Sequence, residues 1–241
     1  MTAKTGYKRV LIKVSGEGLC PPGRSGFDLK AMDALAEEIA SIARAGVQVG
    51  LVVGAGNLLR GRDFPAGGAV HRVTADHMGM LATIINALAL QDVLEAKGAP
   101  ARVMSAIPMG ALCETYGSRQ AVGHLEKGRV VVYAAGTGSP LFTTDMCAAL
   151  RAAETGAQAV IKATKVDGVY DSDPVKDPRA KKYDHLTYHE VIRLRLGVMD
   201  LTAISLCMEH NIPIIVLSMA HPGALARAVR GRKVGTLISE K

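Results

Sequence analysis

Short runs of β-branched and other apolar residues alternate along the chain with longer segments in which apolar residues recur every three or four positions. The short runs predict strands at Val10–Val14, Val47–Val53, Arg102–Ile107, Val130–Ala135, Ala159–Ala163, Ile212–Leu217 and Thr236–Ile238. The longer segments predict helices, one between an N-cap at Asp28 and Gly46, and others at Asp76–Lys97, Ser118–Lys127, Thr144–Thr155, Thr187–Leu196, Asp200–His210 and Pro222–Arg230. This alternation predicts an α/β fold with a mainly parallel sheet and helices on both faces.

The turns from strand to helix are the candidate sites, because ligands of such sheets bind beyond the carboxyl ends of the strands. Three turns carry suitable residues: Lys13–Gly16, Gly54–Gly61 and Gly136–Asp145. A polar stretch rich in Asp and Pro, Asp167–Tyr183, has no periodicity and predicts a long loop. The helix that follows begins with the capping-box pattern Thr-x-x-Glu at Thr187.

Composition narrows the class of protein. The chain has 241 residues, 49% of them hydrophobic, which fits one large α/β domain or two small ones and excludes a disordered chain. The longest apolar run, Met78–Leu90, is interrupted by polar residues and is too short to span a membrane. Lys13 breaks the first apolar run, so we expect no secretory leader. Four scattered cysteines indicate reduced thiols, and these features together predict a cytoplasmic protein without a membrane partner.

The net charge of +7 favours anionic ligands. The basic residues are dispersed, apart from a cluster at Arg227–Lys233, and the few scattered aromatic residues offer no platform for single-stranded nucleic acid. We therefore expect phosphorylated small molecules and no nucleic acid as partners. His185 and His189 are four positions apart but lack a third ligand nearby, so we expect no metal site on protein side chains.

Lys13 lies near the end of an otherwise apolar strand and precedes Gly16 and Gly18. It is either an edge residue that reaches water or a cation directed into a cleft at the carboxyl edge of the sheet. Glycine N–H groups can approach an anion closely, which favours the phosphate interpretation. In the second turn Arg60 follows the tripeptide that begins at Gly54, and it is either a phosphate ligand or a solvated loop residue.

The segment Gly136–Asp145 offers hydroxyls, backbone donors and a carboxylate where a helix begins. Thr144 and Asp145 are typical of a helix N-cap, and Asp145 can at the same time orient a nearby lysine. In the segment Lys162–Asp173, Tyr170 could flank a nucleobase, although the local sequence by itself favours a turn built from Asp-Gly and Asp-Pro. The chain contains neither a P-loop nor a Gly-x-Gly-x-x-Gly motif.

Five segments together resemble the bacterial type of uridylate (UMP) kinase, a branch of the amino-acid-kinase family that is unrelated to P-loop kinases. They are Lys13–Glu17, Gly54–Gly61, Asp76–Thr83, Gly136–Asp145 and Lys162–Tyr170. The Asp76 and Gly136 segments are specific to the branch, and the resemblance runs in register over nearly the whole chain.

The resemblance implies a fold and an activity. The fold is one three-layer αβα domain over residues 1–241, in which residues 1–160 mainly hold the phosphate acceptor UMP and residues 161–241 mainly hold ATP. The activity is transfer of the γ-phosphoryl group of ATP to UMP, giving UDP for pyrimidine nucleotide biosynthesis, with Mg²⁺ carried on ATP. Relatives of this type further imply a homohexamer, activation by GTP and inhibition by UTP.

Matching the motifs residue by residue implies the site. The implied catalytic residues are Lys13, Asp145 and Lys162. The implied ATP-binding residues are Lys13, Val14, Ser15, Gly16, Gly56, Arg60, Thr164, Tyr170 and Asp173. The implied UMP-binding residues are Ala55, Asp76, which would bind the ribose, and Thr137, Gly138, Ser139, Pro140, Leu141, Phe142, Thr143 and Thr144.

Two segments depart from the family's pattern. Ala55 replaces the usual glycine, so a positive φ at this position would weaken the assignment of its turn. Pro21–Gly26 matches a region linked to GTP activation in relatives, but its Pro-Pro-Gly sequence differs. Two alternatives stay open: another phosphotransferase of the family, and a non-catalytic nucleotide- or oxyanion-binding storage protein of the same fold.

Overall fold

Strands and helices alternate through the residues that the structure, a computed structural model, describes: 6–21, 23–59, 68–174 and 176–240. The strands are β1 (Arg9–Val14), β2 (Gln48–Val53), β3 (Ala101–Ser105), β4 (Glu114–Thr115), β5 (Val130–Ala134), β6 (Val160–Thr164), β7 (Val169–Tyr170), β8 (Lys182–Tyr183), β9 (His185–Leu186), β10 (Ile214–Ser218) and β11 (Thr236–Ile238). The helices are α1 (Leu29–Arg44), α2 (Arg72–Ala96), α3 (Ser118–Glu126), α4 (Thr144–Thr155), α5 (Tyr188–Arg193), α6 (Leu201–Glu209) and α7 (Ala224–Val229), and a 3₁₀ turn at Gly16–Leu19 follows β1.

Nine strands form one sheet in the order β4-β3-β5-β2-β1-β6-β10-β11-β9. The first seven strands in this order are parallel to one another, whereas β11 runs antiparallel to β10, and β9 runs parallel to β11. The strands β7 and β8 pair with each other in a separate antiparallel hairpin. β1 therefore lies in the middle of the sheet with a neighbour on each side.

Alternate side chains of the central strands enter two different cores, as the two-residue period of a strand requires. Val10 and Ile12 of β1 pack with residues of α1, α2 and α7 on one face. Leu11 of β1 and Val160 of β6 pack with residues of α3, α4, α5 and α6 on the other face. The result is helices, sheet and helices in three layers, which confirms the predicted fold class.

Several helix ends follow the local sequence. Asp28 caps α1, since its Oδ1 accepts hydrogen bonds from Lys30 N (3.0 Å) and Ala31 N (3.2 Å). Beyond the end of α1, Gly46 has a φ of +86°, a conformation that glycine adopts without strain. The capping box predicted at Thr187 is present at the start of α5.

Several predicted boundaries are wrong by a few residues, and three of them have a local explanation. α2 begins at Arg72, one turn before the predicted start, because Arg72 and Asp76 form an ion pair within the first turns of the helix (3.0 Å). β3 ends at Ser105, whose hydroxyl bonds to the backbone of Ile107 and turns the chain. α7 begins later than predicted because Gly223 before it is in the left-handed conformation.

The stretch Asp167–Tyr183, predicted to be a loop, contains the hairpin of β7 and β8. Val169 N donates to Thr236 Oγ1 (2.8 Å), and Lys182 Nζ lies 3.0 Å from a carboxylate oxygen of Asp167. These contacts connect the hairpin to β11 and close its base. Two-residue strands are too short to produce a periodic pattern, so the sequence did not predict them.

α2 is the one helix among the described residues that is long and apolar enough to cross a membrane, with a mean hydropathy of 1.3 over its most apolar 18 residues. Length and composition alone are weak evidence, since a core helix of a soluble protein passes the same test. α2 packs on β3, β5 and α1, and 39% of that window is buried.

The chain's cysteines are all free, as their spacing predicts.

Candidate active site

The turns predicted to carry chemistry meet at one edge of the sheet. β5, β2, β1 and β6 are neighbours and run parallel, so their carboxyl ends lie side by side. The segments that leave these ends are Gly136–Asp145 after β5, Gly54–Asn57 after β2, Ser15–Gly18 after β1 and Lys165 onward after β6. This edge of the sheet is therefore the candidate site.

Two lysines and an aspartate are in contact at this edge. Lys13 of β1 lies opposite Lys162 of β6 in the parallel register. Asp145, in the first turn of α4, contacts both: its Oδ1 lies 2.8 Å from Lys13 Nζ, and its Oδ2 lies 2.7 Å from Lys162 Nζ. Lys162 Nζ also donates to Val198 O. Lys13 is only 8% exposed and lies on the central strand, so the interpretation of Lys13 as an edge residue is wrong.

The charges of this cluster shift the pKa values of its members. Burial alone would raise the pKa of Asp145, but the attraction of Lys13 and Lys162 and their hydrogen bonds hold this pKa below its ordinary value. Burial lowers the pKa of Lys162, and the repulsion of Lys13 lowers it further. The attraction of Asp145 raises this pKa but does not outweigh the other two effects, so the pKa lies below its ordinary value. With one carboxylate between two ammonium groups, the cluster carries a net positive charge that favours an anionic ligand.

The N-cap of α4 explains why Asp145 faces the lysines. The structure places the cap at Thr143, whose Oγ1 accepts hydrogen bonds from Asp145 N (3.0 Å) and Met146 N (3.2 Å). The predicted cap at Thr144 or Asp145 is therefore wrong by one or two residues. The Thr143 hydroxyl in turn donates to the carboxylate of Asp200 at the start of α6. Because the hydroxyl of Thr143 caps the helix, the carboxylate of Asp145 is available to pair with Lys13 and Lys162.

The turns after β1 and β2 approach each other backbone to backbone. Gly54 N donates to Val14 O (3.0 Å), which continues the pairing of the strands. A Cβ on Gly16 would lie 2.6 Å from Gly56 N and closer still to Gly54 O, so any side chain there would push the turns apart. Ala55 is not among the residues with positive φ, so its replacement of the family's usual glycine introduces no backbone strain.

Two cavities open at this edge of the sheet. The smaller one, of about 410 Å³, lies between α2 and the turn after β5. Asp76 of α2 lines it, and its two carboxylate oxygens accept a hydrogen bond from Leu141 N (2.8 Å) and pair with Arg72 Nε (3.0 Å). The cavity is also lined by Ala55, Leu59, Ala75, Gly79, Met80, Thr83, Gly136, Thr137, Ser139, Phe142, Thr143 and Thr144. Hydroxyls and a carboxylate on an apolar floor suit a ligand with several polar groups.

A larger cavity of about 1090 Å³ has Lys13 and Lys162 of this cluster in its wall. It extends from the ends of β1 and β6 to the space between α1 and the residues that follow β10. Its lining includes Lys13, Val14, Ser15, Lys162 and Thr164. The site thus has two cavities of different size. The wall of the larger one carries both signs of charge: Lys13, Lys162 and Lys165, and the carboxylates of Glu17, Asp33, Glu37 and Glu38.

Comparisons with known proteins agree with this architecture. The family model described as the amino acid kinase family matches residues 8–218. The chain belongs to the amino acid kinase family. It is 55% identical to proteins named uridylate kinase from Legionella pneumophila (98% of this chain, 95% of the relative) and from Methylococcus capsulatus (96% and 97%). A solved structure of UMP kinase from Bacillus anthracis superposes with a TM-score of 0.95 at 41% identity, covering 98% of this chain and 97% of that one.

Within this amino acid kinase fold, the residues predicted for ATP fall into four groups. Lys13, Val14, Ser15 and Thr164 line the larger cavity. Gly16 and Gly56 form the close approach of the two turns and do not line either cavity. Tyr170 and Asp173 lie outside both linings, in and after β7, where Tyr170 donates a hydrogen bond to Asp167 Oδ1 (2.5 Å). Arg60 lies outside the described residues.

The residues predicted for UMP mostly line the smaller cavity. These are Ala55, Asp76, Thr137, Ser139, Phe142, Thr143 and Thr144. Gly138, Pro140 and Leu141 belong to the same turn but not to the lining, and only the backbone N–H of Leu141 reaches Asp76.

Sequence reasoning missed Arg72 and Thr83 in this site of the amino acid kinase fold. Arg72 lines the smaller cavity and pairs with Asp76, and its spacing of four residues within one helix was a usable signal. Thr83 donates to Met80 O and accepts from Ala135 N, which fixes the start of the turn after β5 to α2. A threonine inside an apolar helix gives no such signal.

Proposed function

We propose that this member of the amino acid kinase family transfers the γ-phosphoryl group of ATP to UMP. A phosphate oxygen of UMP forms a bond to the γ-phosphorus while the bond from that phosphorus to the β–γ bridging oxygen breaks, so that UDP and ADP are the products. One observation carries the proposal: Asp145 bridges Lys13 and Lys162 between two cavities, in a chain 55% identical to uridylate kinases over nearly its full length.

ATP would bind in the larger cavity. Its phosphates would lie against Lys13 and the turn Val14–Gly16, and Thr164, Tyr170 and Asp173 would surround ATP. The positions of Lys13, Val14, Ser15 and Thr164 in the cavity wall support this assignment. Gly56 and Arg60 would lie where the phosphates of the two nucleotides meet.

UMP would bind in the smaller cavity, with Asp76 accepting hydrogen bonds from the ribose hydroxyls in place of Leu141 N. Ala55 and the segment Thr137–Thr144 would contact the phosphate and the base. We further propose that residues 1–160 mainly form the acceptor half of the single domain and residues 161–241 mainly the ATP half. The lining of the smaller cavity, which lies wholly within residues 1–160, supports the acceptor half, whereas residues of both halves line the larger cavity. The sizes of the cavities support the assignment of ATP to the larger one, since ATP is the larger ligand.

The reaction needs no general base from the protein. The second pKa of a phosphate monoester is about 6, so the acceptor oxygen is largely ionised at neutral pH. Lys13 and Lys162 would stabilise the charge on the transferred group and the leaving oxygen, and Asp145 would orient both lysines. The contacts of 2.8 and 2.7 Å support this role for Asp145.

Mg²⁺ would enter with ATP. In the described part of the chain no group of three or more His, Cys, Asp or Glu side chains is placed to hold a metal ion, and the carboxylate nearest the site, Asp145, is engaged by two lysines. The ATP phosphates, next to Lys13 and Ser15 in the larger cavity, are thus the donors that fit the ion. Bound there, Mg²⁺ would neutralise part of the phosphate charge.

Selectivity for uracil would come from the turn after β5, whose hydroxyls and backbone groups would pair with the edge of the base. A buried polar site left unpaired by the wrong base rejects it strongly. CMP should therefore be a much poorer acceptor than UMP, and equal kcat/KM values for the two nucleotides would contradict the assignment.

The biological setting is part of the proposal. We place the protein in the cytoplasm, in pyrimidine nucleotide biosynthesis, without nucleic-acid or membrane partners, and as a homohexamer. The exposed apolar residues Leu81 and Ile85 on α2 support self-association. Activation by GTP and inhibition by UTP rest on the resemblance to relatives, and initial rates with each nucleotide added test them.

The deciding experiment measures ADP formation from ATP and Mg²⁺ with and without UMP, followed by a panel of other acceptors. We expect ADP formation that depends on UMP. Formation with a carbamate, an amino-acid carboxylate or isopentenyl phosphate instead would identify another phosphotransferase of the family. Nucleotide binding without any ADP formation would identify a storage or binding protein.

A further inference from the structure

Two buried asparagine side chains form a closed pair next to the turn between the cavities. Asn57 follows the Gly54–Gly56 turn, Asn86 lies in the middle of α2, and both are 0% exposed. Asn57 Nδ2 donates to Asn86 Oδ1 (2.8 Å), and Asn86 Nδ2 donates to Asn57 Oδ1 (2.7 Å). The pair connects residues 29 positions apart in the chain, so it ties the turn to the helix.

The remaining hydrogen of each amide goes to a backbone carbonyl. Asn86 Nδ2 donates to Gly54 O (2.8 Å), and Asn57 Nδ2 donates to Gly26 O (3.1 Å). Gly26 N returns a hydrogen bond to Asn57 O (2.8 Å). All four amide hydrogens and both amide oxygens are therefore used, and removal of one partner would leave buried polar groups unpaired.

The bond to Gly54 O fixes the orientation of a peptide unit inside the site. A trans peptide is planar, so the N–H of Ala55 points in the opposite direction to the carbonyl of Gly54. Ala55 lines the smaller cavity, and the Gly54 carbonyl lies where Gly16 has no room for a Cβ. Rotation of this one peptide unit would consequently disturb both the turn after β2 and the turn after β1.

We propose that Asn57 and Asn86 are positioning residues for phosphoryl transfer, which set the separation between the acceptor phosphate and the γ-phosphate. The inference rests on the proposed function and deepens it. Reacting atoms must approach to about 3–3.5 Å, and a displacement of about 1 Å can lower the rate on the order of 10²-fold. Neither asparagine lines a cavity, so each acts through the Gly54–Gly56 turn.

The test compares Asn57→Ala, Asn86→Ala and the double variant with the wild type. We expect kcat to fall about 10²-fold in each single variant, because the turn loses its fixed position. The affinity for UMP, measured by calorimetry, should stay within about threefold of the wild type, because no ligand contact is removed. The double variant should lose no more than a single variant, because the two side chains act as one unit.

A matched control is Tyr188→Phe, which removes a buried hydrogen bond to Ile212 O (2.6 Å) in the opposite helical layer. It should lower the melting temperature while it keeps the wild-type kcat. Asn86→Asp adds a pH readout: a neutral carboxyl can donate one hydrogen bond where the ionised form donates none. The kcat of this variant, relative to wild type, should therefore rise as the pH is lowered.

Three results would overturn the positioning role. They are a kcat within about threefold of wild type in both alanine variants, a loss confined to the KM values, or failure of every variant to fold while Tyr188→Phe folds. If the wild type forms no ADP with UMP, the proposed function fails and this inference falls with it. An active wild type with fully active alanine variants would refute the positioning role alone.

Discussion

Lys13 and Asp145 contribute opposite charges to one buried contact, and each is expected to be essential for the rate. Lys13→Ala removes a cation from the wall of the larger cavity, and Asp145→Asn removes the charge that holds both lysines in place. We expect each variant to lose on the order of 10²–10³ in kcat, the usual effect of losing one preorganised electrostatic group. Steady-state kinetics with saturating ATP and UMP measure this loss.

Arg102→Ala is a suitable control, because Arg102 also pairs with a carboxylate, that of Glu95 (3.1 Å), but this partly exposed pair lies outside the linings of both cavities. It should keep the wild-type kcat, since surface ion pairs contribute little. A folded Lys13→Ala or Asp145→Asn protein with the kcat of this control would remove that residue from the mechanism.

The pKa of Lys162 leads to a second expectation, on the alkaline side of the rate profile. Burial, reinforced by Lys13, lowers this pKa below the ordinary lysine value of 10.5 despite the attraction of Asp145. The lysine therefore loses its proton, and the enzyme its rate, at a lower pH than an exposed lysine would. Lys162→Arg keeps its charge at all these pH values, so its kcat should not show this fall.

The profiles of kcat between pH 6 and pH 10.5, measured for the wild type and for Lys162→Arg, decide whether Lys162 causes the alkaline fall in rate. Asp145 does not interfere in this range, because its lowered pKa places its protonation, and the accompanying loss of stability, below pH 3.8. An identical alkaline fall in the wild type and in Lys162→Arg would assign that fall to another group.

Single residues of the site differed in how far the sequence could predict them. Lys13 lies near the end of a strand and Asp145 at the start of a helix, where ligand sites of α/β sheets are expected. The local sequence pattern was therefore sufficient to select both as candidate site residues. Whether Lys13 faced water or a cleft depended on the position of β1 between β2 and β6, which is not a local property. Asn86 gave no signal at all, since a polar residue within a helix is ordinarily exposed.

At the scale of elements, the cap of α1 allows a stability prediction. Asp28→Ala removes the acceptor for two backbone N–H groups and should lower the free energy of unfolding by about 1 kcal/mol. Asp28→Asn retains a side-chain oxygen and should lose only a small part of this amount. Urea denaturation of the three proteins measures the difference. Equal losses in both variants would show that the charge, and not the hydrogen bonds, stabilises the helix.

The sequence pattern did not predict the order of the strands in the sheet, although it predicted most of the strands themselves. The pattern predicted β1, β2, β5 and β6 closely, because each is a buried apolar run. Their adjacency, which creates the site, depends on how whole strand–helix units pack. β4, β7, β8 and β9 are two residues long and are stabilised by contacts with distant segments, so no local pattern marks them.

At the scale of the whole molecule, the exposed apolar face of α2 is the surface on which the proposed self-association can be tested. Leu81 and Ile85 are 48% and 51% exposed and, four positions apart, lie on one face. The other side of the helix carries Asp76 to the smaller cavity and Asn86 to the Gly54–Gly56 turn. Insertion of α2 into a bilayer would remove both from the site, whereas the proposed contact with a second copy of the chain would leave them in place.

Charge placed on that face should therefore break the assembly. The double variant Leu81→Glu with Ile85→Glu buries carboxylates in the expected interface and should reduce the molar mass in solution, measured by light scattering after size exclusion. Leu29→Glu, at a 73% exposed position of α1, is the matched control and should leave the molar mass unchanged. An unchanged mass in the double variant would place the contact elsewhere. Binding of the wild type to lipid vesicles, lost in the double variant, would instead show that the face meets a membrane.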